Sequence, residues 1–482
     1  MTLWAAALAV LTLLRLVIAA TTPLAPDEAY YWVWSQALAA GYPDHPPMVA
    51  LWIRLGTLLA GDGALGVRLL GPLSVAIASL LLVDAADRLL PGRRAGLHAA
   101  ALMNATLLFG IGAVIMTPDT PLLFFWTCCL WALVRLLRGG KPSWWLAIGL
   151  FAGLALASKY TGVLLWFGIA VWLLVTPSVR FWLQQPMPWL GALLGATVLL
   201  PVVVWNAAHG WVSFARQGGR VGAWEPANAV RFLGELIAGQ LGLVTPLIFA
   251  LCVAGVGLAG RQAWRTRDPA WTLLAAMTLP AVVLFMQHAL GDRVQGNWPA
   301  IIYPAAAIAA CGLRAPAWQR LYVPGIALGL AITLLVYLQA SVTLLPLPVR
   351  LDPIALRLAG WDTLAAQVEV VRRQVGASFV AADQYGVAAE LTRSLPVGTP
   401  VIGVEPRWAL FDLPAASVAG QVGILVRSAR HGGDPDPTPW SSLTDAGQSD
   451  RKRGTTQVEA FRLYRVIGRQ DAAAALLPRP DR

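Results

Sequence analysis

Residues 3–20 read LWAAALAVLTLLRLVIAA, and residues 26–47, a few positions on, read PDEAYYWVWSQALAAGYPDHPP. The first stretch is an apolar run of the length that crosses a bilayer as a helix, about 17–25 residues. The second packs Asp27, Glu28, Asp44 and His45 among Tyr, Trp and Pro, in a chain in which only 13% of residues are charged. An apolar run this close to the start can be a cleaved leader, and Val17-Ile18-Ala19 is compatible with a cleavage site. A basic segment ahead of the run is lacking, Arg15 falls inside it, and many more runs follow, so a retained first helix is expected.

Working outward, the composition agrees. The 482 residues are 57% hydrophobic with a mean hydropathy of +0.62, above the ordinary apolar share of about 45–50% in soluble domains. This predicts a polytopic α-helical membrane protein. The net charge of +11 does not point to nucleic acid, because Arg and Lys gather in short clusters between apolar runs, as in cytoplasmic loops. Cys128, Cys129, Cys252 and Cys311 lie inside apolar runs without metal-ligand or framework spacing, which makes them packing residues.

About eleven transmembrane helices are expected, over residues 3–20, 64–90, 95–116, 121–137, 144–157, 163–175, 189–206, 232–260, 270–288, 299–313 and 321–345. Short loop helices join them on the outer side. With alternating spans, Arg93/Arg94, Arg138/Lys141, Arg180, Arg261/Arg265/Arg267 and Arg314/Arg320 share the cytoplasmic side. The acidic stretch, Asp119, Lys159, the loop around His209 and Asp292-Arg293 then face outward, as does the tail. From residue 346 the composition turns soluble. Strands are expected at 378–382, 400–404, 421–427 and 461–467 with a helix at 387–394, and 431–453 reads as an exposed loop. The chain thus divides into a membrane domain, 1–345, and a small α/β domain, 346–482. There is no internal repeat and no Walker or GxGxxG element.

The ionisable residues of the outer side carry the chemistry. Asp27 and Glu28 follow a span, where aromatic shielding raises a carboxylate's pKa and suits it to general-base work; an N-cap in an interfacial helix is the plainer reading. Asp44 and His45 form an oxygen and nitrogen pair suited to a divalent metal, or simply a turn. Asp119 stands where a helix N-cap also explains a carboxylate. Lys159 lies between two apolar runs, where an ammonium needs an anionic partner. A phosphate would serve, helped by Arg68, Arg216 and Arg220; snorkelling to a headgroup is the alternative. His209 and the Gly296-Asn297-Trp298-Pro299 turn lie in the same compartment.

The motifs PDEAYYWVWS, GYPDHPPMVAL, MTPDTPLLFFW, SKYTG, NAAHGWVSFARQ and GNWPA, in that order over residues 3–313, resemble the bacterial family 39 glycosyltransferases. That branch of the GT-C superfamily is related to protein O-mannosyltransferases and the lipid A aminoarabinose transferase. The resemblance implies transfer of a sugar, with inversion, from a polyprenyl-phosphate-linked donor to an envelope lipid, glycan or protein at the periplasmic face of the bacterial inner membrane. It implies Asp27 as catalytic base, Glu28 as its partner and Asp119 as the second acidic position. Lys159 matches the phosphate-contacting lysine, and Tyr160, Arg68, His45, His209, Gln217, Arg220, Asn297 and Trp298 are expected to contact substrate. Where the aminoarabinose transferase has Glu-Lys, this chain has Asp44-His45, which favours a metal there over direct phosphate contact. The rival reading, a lipid or sugar transporter or flippase, predicts ionisable groups near midplane and an internal repeat; a non-catalytic scaffold would not require the outer cluster at all.

Overall fold

Within a bilayer a chain must satisfy its own backbone hydrogen bonds, so apolar runs become helices. The computed structural model describes residues 2–92, 94–219, 224–470 and 474–480. Seven helices among the described residues are long and apolar enough to cross a membrane: Leu3–Thr21, Ala64–Leu89, Asp119–Gly139, Pro186–Ala208, Pro246–Thr266, Pro269–His288 and Pro316–Val342. Tyr160–Val175 and Pro177–Gln184, bent by 110° where they meet, make an eighth if they act as one. Met48–Ala60, Trp144–Leu156 and Trp298–Ala310 are shorter apolar helices. The chain is a multi-pass helical membrane protein.

The count of full-length helices is smaller than expected because residues 144–157 and 299–313 form short helices, 163–175 belongs to a bent pair, and other runs are broken. Residues 95–116 divide into Ala95–Asn104 and Leu107–Gly112, the second capped by Thr106 Oγ1 accepting from Phe109 N. Residues 232–260 divide at Thr245, whose following proline bars it from the α region, into Pro226–Val244 and Pro246–Thr266. Met48–Ala60, not anticipated, is an apolar helix of 13 residues.

The chain forms two compact units, and their division does not fall at residue 346. One takes residues up to Val17 together with 44–49 and 70–336; the other takes 18–43, 50–69 and 337–482. In the first, helices Trp144–Leu156 and Pro186–Ala208 approach backbone to backbone. A Cβ on Gly149 would lie 1.8 Å from the Gly191 carbonyl oxygen, and one on Gly153 2.7 Å from that of Gly195. The glycines recur every four residues on both helices, the spacing by which small residues let membrane helices pack closely. Arg15, fully buried, donates to Asn104 Oδ1 at 2.7 Å, and Asn104 Nδ2 to Ser79 Oγ at 2.8 Å, so this cation is met by polar neighbours. The four cysteines are buried and none is in a disulfide.

The second unit holds a six-stranded sheet, with strands β1 (Phe379–Ala382), β2 (Val401–Gly403), β3 (Val422–Ser428), β4 (Trp440–Arg453), β5 (Thr456–Gly468) and β6 (Ala475–Leu476) in the order β4-β5-β3-β1-β2-β6. β1 runs parallel to β2 and β3, while β3–β5, β4–β5 and β2–β6 are antiparallel. Helix Tyr385–Ser394 links β1 to β2 and packs against helix Pro26–Gln36. Phe379, Ile402, Leu425, Trp440, Tyr464 and Val466 form the core on one face. The expected strands and helix are present within a few residues, but the segment read as a loop, 431–453, contains β4. β4 is polar and largely exposed, and hydrogen bonds to β5 rather than an apolar stripe make it a strand; three register irregularities interrupt its alternation.

A Gly149→Leu substitution will force the two helices apart and lower stability by about 1–3 kcal/mol, read as a reduced melting temperature in detergent. An unchanged melting temperature would refute the close approach.

Candidate active site

Helix Trp144–Leu156 ends before Ser158-Lys159, where the backbone of Lys159 is extended before Tyr160–Gly162 turns the chain into helix Val163–Val175. The break puts a cation between two apolar helices. Asp119 opens helix Asp119–Gly139, where the exposed amides and dipole favour a carboxylate. Lys159 Nζ donates to Asp119 Oδ1 at 2.7 Å and to Oδ2 at 2.9 Å; the side chains are 10% and 12% exposed. Asn297 Nδ2 donates to Asp119 Oδ2 at 2.6 Å, and the Lys159 ammonium stands 6.0 Å from the centre of a Trp298 ring. Four of the expected residues, from three distant segments, thus converge.

Lys159 and Trp298 line a cavity of about 450 Å³ together with Tyr160, Gln217 and His288. The remaining walls include Leu156, Val163, Leu164, Leu199, Phe214, Leu284 and Phe285. A few polar groups in an apolar enclosure suit an amphipathic ligand. A second groove of about 680 Å³ shares Leu164 and Leu284 with it and is lined mostly by apolar side chains. His288 was not anticipated; its one sequence signal is that it ends an otherwise apolar run.

Tyr160 OH is 2.5 Å from Ser213 Oγ, which donates to Asn206 Oδ1 at 2.6 Å, tying the Lys159 turn to NAAHGWVSFARQ. Gln217 Nε2 donates to the Asp44 carbonyl at 2.8 Å, and Arg216 Nη1 to Asp44 Oδ1 at 2.5 Å. Asp44 therefore pairs with an arginine, with His45 half-buried beside it. Among the described residues no group of three His, Cys, Asp or Glu is placed to hold a metal, and Asp44, expected in a metal pair with His45, is paired with Arg216. His209 stacks on Trp205 at 4.1 Å, and its Nδ1 is 2.7 Å from the Trp205 carbonyl. This is a helix-end role, away from the cavity lining. Arg220 lies outside the described residues.

The second unit holds the acidic pair. Glu28 is fully buried: Arg68 Nε donates to its Oε1 at 2.7 Å and Nη2 to its Oε2 at 2.6 Å, while Oε2 also accepts from Ala25 N at 3.0 Å. Arg68 is 1% exposed and donates further to the carbonyls of Ala19, Thr22 and Pro23. Glu28 and Arg68, expected as partner carboxylate and phosphate ligand, form a buried ion pair that joins the loop after the first helix to residue 68. Asp27 differs. Its side chain is 41% exposed, accepts from Tyr385 OH at 3.1 Å and lies 3.7 Å from Arg357 Nη1. Neither partner, both in the C-terminal region, was legible in advance.

A family profile described as dolichyl-phosphate-mannose-protein mannosyltransferase matches residues 44–205. The chain is 29% identical over 423 residues to the lipid A galacturonosyltransferase RgtD of Rhizobium johnstonii, with 84% of this chain and 86% of that protein covered. Among solved structures, ArnT from Cupriavidus metallidurans is similar in its apo state (TM-score 0.63, 16% identity, 96% of this chain and 98% of that one) and bound to undecaprenyl phosphate (TM-score 0.62, 16% identity, the same shares). The architecture is therefore the membrane GT-C fold. Sequence and fold together support a GT-C glycosyltransferase related to ArnT and to the protein O-mannosyltransferases.

Removing one member of a fully buried ion pair costs about 3–5 kcal/mol. Glu28→Ala will therefore deplete folded protein on size exclusion, and Glu28→Leu combined with Arg68→Met will recover much of it. A stable Glu28→Ala protein that has lost only sugar transfer would return Glu28 to the chemistry.

Proposed function

We propose that this glycosyltransferase moves a sugar from a polyprenyl-phosphate-linked donor to an envelope lipid, with lipid A the first acceptor to test, at the periplasmic face of the inner membrane. The observation that carries the reading is the buried Lys159–Asp119 pair, with Asn297 bonded to its carboxylate, beside an apolar cavity, a combination suited to a phosphate joined to a hydrocarbon chain. The adjoining groove offers further apolar surface for the polyprenyl tail. The relative that transfers galacturonic acid to lipid A makes a hexuronic acid the first donor sugar to assay.

A sugar phosphate already carries a good leaving group. The protein must take a proton from the acceptor hydroxyl and stabilise the departing phosphate, which a single displacement with inversion accomplishes. Asp27 is assigned the base, on its motif and on a half-exposed carboxylate that keeps lone pairs available. Lys159 is assigned the phosphate: of its three donors, two go to Asp119 and one is left for a ligand. Asp119 and Asn297 hold the ammonium in place. Tyr160 and Gln217 line the same enclosure and are assigned to the donor, with Trp298 as an apolar wall.

Membranes containing the protein, given polyprenyl-phosphate-linked galacturonic acid and lipid A, are expected to release polyprenyl phosphate and form the glycosylated lipid. Asp27→Asn will lower turnover by about 10²–10⁴ without loss of folded protein. Transfer at the parental rate would remove Asp27 from the role. Lys159→Ala will abolish turnover, and comparison of envelope lipids with and without the protein by mass spectrometry will identify the sugar.

A further inference from the structure

Lys159 and Asp119 together are close to electrically neutral, so the pair alone offers a departing phosphate little net compensation. The other polar groups on the described cavity lining are therefore of interest, and one of them is unexplained. His288 ends helix Leu279–His288, is 8% exposed and lies with its ring 5.4 Å from that of Trp298. Its Nε2 is buried and finds no hydrogen-bond partner among the described residues. Buried polar atoms are almost always paired, so an unpaired one in a residue that lines a cavity calls for a partner. Of the other polar lining groups, Lys159 has two of its donors on Asp119, Tyr160 is engaged with Ser213, and Gln217 donates to the Asp44 carbonyl. His288 adds a donor that no described residue takes up.

We propose that His288 is a further catalytic residue, donating a hydrogen bond from Nε2 to the phosphate of the polyprenyl-phosphate donor and of the polyprenyl phosphate that leaves. The inference rests on the donor reading given above. In the transfer, the bond between the anomeric carbon and the phosphate oxygen breaks and a bond from the acceptor oxygen to that carbon forms. The acceptor proton passes to the base, and the phosphate departs with the electron pair of the broken bond. His288 and Lys159 meet that charge as it develops, where a donor in a water-poor enclosure acts most strongly. The Trp298 ring fixes the imidazole by contact rather than by hydrogen bonding, leaving Nε2–H to the ligand.

The test is binding of undecaprenyl phosphate to the full-length protein in detergent, for the parental chain, His288→Phe and His288→Gln. Phe keeps a ring against Trp298 and removes the N–H; Gln removes the ring and keeps a donor. His288→Phe is expected to bind about 10-fold more weakly, the scale of one hydrogen bond to a charged group. His288→Gln should recover part of that loss, with all three melting at similar temperatures. Should Phe fold poorly, the Gln variant and His288→Leu supply the same comparison. Undiminished binding by a folded variant lacking the N–H would overturn the role of His288 while leaving the donor reading intact. A parental protein that does not bind the lipid would overturn both.

Discussion

An ammonium buried in an apolar enclosure must be neutralised, and the pairing of Lys159 with Asp119 meets that demand. Much of the first unit's local structure around it follows. Helix Asp119–Gly139 must begin where it does for its first residue to reach the ammonium, and the helix before Lys159 must stop short. The turn Tyr160–Gly162 holds the break open, and Asn297 brings a third segment to the same carboxylate. A structural pair would end there. This one retains a lysine donor and borders a cavity, so the cost of burying charge is coupled to a place where an anionic ligand is welcome.

The helical membrane class was legible because hydropathy reports the solvent directly. What the runs concealed was their interruption. Pro246 flags the break at Thr245, but the division of residues 95–116 depends on Thr106 capping a new helix, which no apolar count detects. β4 was missed for the opposite reason. Its residues, WSSLTDAGQSDRKR, have turn-like polarity, and its strand character comes from β5 alone. At the site, Lys159 announced its need for an anion but not which one; the answer sits forty positions away and is a matter of tertiary structure. His288 was the hardest to see, since a histidine closing an apolar helix looks the same whether it faces headgroups or a cavity.

The adjacent acids Asp27 and Glu28 show how neighbours in sequence acquire different chemistry. Residues 28–35 of helix Pro26–Gln36 are all buried, and Asp27, in its first turn, lies just outside that enclosed stretch. Glu28 is enclosed and requires the guanidinium of Arg68, with both carboxylate oxygens taken. Asp27 is left at the edge, where Tyr385 orients it with a single hydrogen bond and water retains access. A carboxylate with both oxygens held by a guanidinium has no oxygen turned toward an acceptor hydroxyl. The buried member of the pair therefore makes the loop rigid, and it is the exposed member, on a helix anchored by its neighbour, that has lone pairs free to accept a proton.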